Sequence, residues 1–144
     1  VLARKRRNEG SKEWMMMNAA TVNFLRKADA LLANKTDDVS QDELERRLLD
    51  SYYAALRLAG AVIEDAIASR KRKPKGDAWT LLARYGGQLA PWADVFRKYS
   101  PIKERVRLGL SPSLTVAYVE YFEQLVLDFR AAVNDRYAWI PAAA

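Results

Sequence analysis

The chain has 144 residues, 24 of them Lys or Arg and 18 Asp or Glu, with neither histidine nor cysteine. That length suits one domain with its own core, and a hydrophobic fraction of 50% excludes global disorder. Lacking thiol and imidazole, the chain forms no disulfide, no Cys/His metal site and no imidazole proton shuttle. A general base would have to be a carboxylate or a lysine.

The net charge of +6 sits in two short runs, Arg4-Lys5-Arg6-Arg7 and Arg70-Lys71-Arg72-Lys73 with Lys75. Setting them aside leaves the acidic residues in the majority, so no protein-wide attraction to polyanions follows. Residues 1–17 read as a basic, mobile arm. Its cations before Trp14-Met15-Met16-Met17 resemble the start of a signal peptide, but Asn18, Thr21 and Asn23 break the apolar run. No stretch reaches the apolar length of a membrane span. The expectation is a cytoplasmic protein without a membrane role.

From Thr21 to Ala33, Val22, Leu25, Ala28 and Leu32 recur at helical spacing. A polar turn follows, and Ser40 with Glu43 predicts a capping box at the start of the longest helix. That helix carries Leu44, Leu48, Tyr52, Leu56, Ala59, Val62 and Ala66 on one face, with small residues at Ala55, Ala59 and Gly60 that admit a close neighbour.

Pro74 and Gly76 end it, after which Asp77 is placed to cap a helix bearing Trp79, Leu82 and Tyr85. Gly86-Gly87 can close that helix in the left-handed conformation, and Pro91 suits the first turn of the next, with Trp92, Val95, Phe96 and Tyr99. Ser100-Pro101 predicts a kink or a short extra helix to Leu108. The final helix is expected to begin near Pro112, with a stripe of Leu114, Tyr118, Tyr121, Phe122, Leu125, Phe129 and Ala132. Val116, Val119, Val126 and Val133 lie partly off it.

No segment alternates with period two. The fold class is therefore all-α: an up-and-down bundle of four to five helices with a short or kinked extra helix. The bundle spans residues 18–140 as one domain, with 141–144 as a tail.

Chemistry-bearing patterns are few. Asp37-Asp38, Glu64-Asp65 and Glu120 with Glu123 lack the histidines that complete carboxylate metal sites in bundles, so they read as surface charges. No phosphate-cradling glycine loop, zinc signature or serine-nucleophile motif is present, and no cofactor, metal or catalytic residue is assigned. Trp79 and Trp92 read as core aromatics; Trp139 reads as packed back on the bundle or placed at an interface. The candidate site is the hinge: Arg70, Lys71, Arg72, Lys73 and Lys75, with Arg84 nearby, offer donors to phosphate groups. The competing reading is a solvated loop that keeps the protein soluble.

The order of a basic run, Pro74, Lys75, Ala78-Trp79, Leu81-Leu82, Leu89, Trp92-Ala93 and Phe96 resembles a small actinobacterial branch of the HEPN domains. The likeness covers roughly residues 19 to 134, centred on Arg70 to Phe96. It implies a bundle of four or five helices, often dimeric, in a superfamily of which many members bind or act on RNA. Its ribonuclease members use an Arg-x4-6-His motif facing a twin across the dimer. Here Arg130 is followed by Asn134, Asp135, Arg136 and Tyr137, so that machinery is not carried over. Two functions stand side by side: a non-catalytic domain binding RNA or another phosphate-rich ligand through the hinge, and a homodimeric module that docks a protein partner.

Overall fold

The structure, a computed structural model, describes residues 19–34, 36–110 and 113–137. The basic arm, Pro112, Trp139 and the tail lie outside the described residues. The helices are α1 Ala19–Leu32, α2 Gln41–Ile67, α3 Ala78–Tyr85, α4 Trp92–Arg97, α5 Ser100–Arg107 and α6 Val116–Tyr137, with a 3-10 turn at Gly87–Leu89. Among the described residues there is no strand, as the helical periodicity predicts. None of the described helices is long and apolar enough to cross a membrane.

Ser40 starts α2 by accepting a hydrogen bond from the Glu43 N–H at 3.3 Å. The reciprocal half of the predicted capping box does not form. The Glu43 carboxylate accepts from Thr36 Oγ1 at 2.8 Å and pairs with Arg46, while the Ser40 N–H donates to Asp38 Oδ1 at 2.8 Å. The loop thus provides closer partners than the helix itself.

The helix so begun is the centre of the fold, packing against α1, α3, α5 and α6. Ala54, Ala55, Ala59 and Ala61 are fully buried, and small residues bring the neighbouring helices close. At Gly60 a β-carbon would sit 3.1 Å from the Phe24 ring of α1, so the small residue there does admit a close neighbour. The buried apolar side chains form one cluster that runs from Leu25 on α1 to Val133 on α6.

Helix α6 corrects the sequence reading in two ways. It begins at Val116, where Thr115 Oγ1 accepts from the Tyr118 N–H at 3.1 Å, and not at Pro112. Its buried face is Val119, Phe122, Val126, Phe129 and Val133, so Val119, Val126 and Val133, assigned to the margin, are at the centre, while Val116 is half-buried. Tyr118 and Tyr121 stand at the exposed edge instead, 39% and 64% accessible. Compact valines fit against α2, whereas a tyrosine at the edge keeps its hydroxyl in water.

Glu123 is also corrected. It is mostly buried, and the guanidinium of Arg47, itself 4% exposed, donates to it twice, at 3.0 and 2.5 Å. Two charges taken from water together satisfy each other in this fork-to-fork geometry.

Candidate nucleic-acid interface

The hinge is built between two helix ends. At the C-terminus of α2 the last carbonyls lack the regular helical donor, and Ile67 O accepts from the Arg70 N–H at 3.0 Å instead. Lys73 folds back onto them, its Nζ donating to Ile67 O at 2.9 Å and Ala68 O at 3.0 Å. A cation at this end of a helix is also favoured by the helix dipole. At the other end, Gly76 takes φ +151°, and the chain re-enters a helix at Asp77. Asp77 Oδ1 accepts from the Thr80 N–H at 2.9 Å and Oδ2 from the Thr80 hydroxyl at 2.8 Å. Those bonds hold its carboxyl below the usual aspartate range.

The six residues singled out from the sequence separate into two groups. Lys73 is a helix cap, and Arg70 lies over the Tyr85 ring of α3, 4.9 Å from its centroid, so both fasten the loop to the bundle. Lys71, Arg72, Lys75 and Arg84 are exposed and, among the described residues, form no ion pair. Arg46, Arg47, Arg107 and Arg130, by contrast, are each held by a carboxylate. The anchoring role of Tyr85 had no signal in the sequence, because only the fold places that ring beneath a residue fifteen positions earlier. Lys71, Arg72, Lys75 and Arg84 line none of the described cavities.

Trp79 is buried, as read from the sequence, and Trp92 half-buried, with their rings stacked on Phe96 at 5.3 and 5.9 Å. Trp79 is thus enclosed, and Trp92 packs one side of its ring on the core at Phe96 and Phe129. Arg130 lies with Nε 2.5 Å from Asp29 Oδ1 of α1.

A helical domain with no strand among its described residues, a long central helix and a basic hinge before a tryptophan-bearing helix defines the class: it is HEPN-like. Residues 37–134, more than half of the chain, match the family described as SAV_6107-like HEPN, and the chain belongs to that family. The match contains the whole hinge and begins after α1. Comparison with curated proteins and with solved structures returned no match.

Proposed function

We propose that this HEPN-like domain binds RNA through the hinge between α2 and α3 without cleaving it. One observation carries the reading: Lys71, Arg72 and Lys75 are exposed and unpaired among the described residues, on a loop fastened by Lys73 and Arg70. Three exposed cations on an anchored loop, lining none of the described cavities, suit a phosphate backbone passing over them better than a small molecule, which needs enclosure. Absence of cleavage is supported by the sequence itself. The residues five to seven positions beyond Arg130 are Asp135, Arg136 and Tyr137, none a histidine, and Arg130 is engaged by Asp29.

The test is binding of a generic single-stranded RNA as a function of salt. Replacing Lys71, Arg72 and Lys75 together with Ser should weaken binding and flatten the log-affinity against log-salt slope by about 2 units, because each lost single-strand phosphate contact removes roughly 0.7. Unchanged affinity and slope would reject the reading.

A second reading has its own observation. Tyr121 and Leu110 are each 64% exposed and Leu108 55%, and Tyr118, near Tyr121 at the start of α6, is 39% exposed. Exposed apolar side chains of this size fit a homodimer or a protein partner. Sedimentation showing a monomer from micromolar to millimolar concentration would remove the homodimer form of that reading.

A further inference from the structure

Between α2, the start of α3 and the α4–α5 corner lies a recess of about 420 Å³. Its floor is aromatic: Tyr52 and Trp79 are 2% and 5% exposed, so neither offers a ring face to a ligand. Polar groups converge on it from α4 and α5. Arg97 closes α4, Ser100 opens α5, and Lys103 follows one turn later with its ammonium 5.1 Å from the centroid of the Tyr52 ring.

The existing partners of these groups leave donors free. Among the described residues the Arg97 guanidinium makes one hydrogen bond, from Nη2 to the Thr80 hydroxyl at 3.3 Å, and its charge also helps hold the Asp77 carboxyl low. Lys103, among the described residues, forms an ion pair with Glu104 alone, at 3.4 Å, and Glu104 is principally held by Arg107. Asp77 is the carboxylate lining the recess, and both its oxygens already accept from Thr80. Tyr52 is the decisive group. An indole N–H can only donate, so in the 2.9 Å bond to Trp79 the Tyr52 hydroxyl is the acceptor. Among the described residues its own proton has no acceptor, although the side chain is almost wholly buried. A buried hydroxyl proton without a partner, beside two incompletely paired cations, is a site arranged for an oxyanion.

We propose that this recess binds a phosphomonoester, with Arg97 and Lys103 supplying charge and the Tyr52 and Ser100 hydroxyls supplying neutral donors. A diester carries a single negative charge. A monoester carries roughly 1.5 to 2 charges near neutrality, which suits the two cations that meet at this corner. The occupant is therefore a phosphate at a chain end, or on a small molecule, and the site is separate from the hinge surface that would meet a strand's interior. The inference does not depend on the hinge binding RNA.

Two measurements decide it. The first is the NMR shift of the Trp79 indole N–H on titration with inorganic phosphate and, separately, with acetate. The second compares a short oligoribonucleotide bearing a terminal phosphate, at either end, with the same strand ending in hydroxyls. Phosphate should move the Trp79 resonance saturably while acetate does not, and the terminal phosphate should tighten binding about tenfold, the scale of one charge-assisted contact. That preference should vanish in Arg97→Gln/Lys103→Gln, shrink in Tyr52→Phe, and survive in Arg72→Ser/Lys75→Ser. Equal effects of acetate and phosphate, or a preference that outlasts Arg97→Gln/Lys103→Gln, would overturn the proposal. Should neither strand bind, the hinge reading fails, and the phosphate titration still decides the recess. Ser100→Glu, which places a carboxylate at the mouth, should abolish the phosphate shift without relying on the double variant.

Discussion

Trp79 of α3 donates its indole N–H to the hydroxyl of Tyr52 on α2, at 2.9 Å, with both side chains buried. The bond is the polar element of an aromatic cluster. The Tyr52 ring meets Trp79 edge-on at 6.0 Å and stacks with Phe122 of α6 at 6.4 Å, so one tyrosine ties the second and last long helices to the short one after the hinge.

Tyr52→Phe should keep that packing but strand the indole N–H in the interior. The expected cost is about 1 to 3 kcal/mol, the penalty of a buried donor left unmade. Trp79→Ala removes the ring as well and should cost about 3 to 5 kcal/mol. Chemical denaturation of the two variants checks the order; equal losses would mean that the hydrogen bond, and not the ring, dominates.

Arg47 and Glu123 supply a second stability test. Arg47→Met alone leaves Glu123 without its partner in a largely buried place and should destabilise by about 3 to 5 kcal/mol. Adding Glu123→Leu removes the orphaned charge and should recover most of that loss. A double variant as unstable as the single one would show that packing around the pair, and not its charge, sets the cost.

Within the hinge, stability and binding should part company. Lys73→Ser removes a cap on two carbonyls and should cost roughly 0.3 to 1 kcal/mol. Lys71→Ser and Arg72→Ser should leave the melting temperature unchanged, since exposed unpaired charges contribute little to stability. Thermal melts of the three single variants separate the anchor from the free cations.

Much of this hinge was legible beforehand, because its signals are local. Pro74, Gly76 and the Asp77 cap each act within a few residues, and a cation after a helix C-terminus finds its carbonyls by proximity. Glu123 and the rotation of α6 were not legible, since they depend on what α2 presents across the core. Tyr118, Tyr121 and Phe122 satisfy a helical stripe as well as Val119, Val126 and Val133 do, and periodicity alone does not rank ring against branch. Arg47 reads as one more charge on a charged helix until its partner, distant in the sequence, is placed beside it.

The Asp77 cap predicts an acid limit for α3. Its carboxyl titrates lower when folded, principally because the Thr80 N–H and hydroxyl donate to it. Stability from this group is therefore complete above the ordinary aspartate value of 3.8 and is lost as pH falls through the lowered folded value. Asp77→Ala should cost about 0.5 to 2 kcal/mol at neutral pH, and the gap between parent and variant should narrow below pH 3.8. Melting curves across that range measure it; a gap that stays constant would mean the carboxylate is not the capping species.

Gln41 at the start of α2 clasps the backbone of Leu114, donating to its carbonyl at 2.8 Å and accepting from its N–H at 2.9 Å. With Arg47 and Glu123, it joins segments more than seventy positions apart. During translation, α2 therefore leaves the ribosome long before the helix that covers it. At about 5 to 20 residues per second, that interval is roughly 4 to 15 s. For that time a helix made to be covered on most sides has only α1 and then the short helices for company. The nascent chain is most exposed to chaperones and to misassociation in this window, and synonymous changes that slow elongation between α5 and α6 would lengthen it without altering a single side chain.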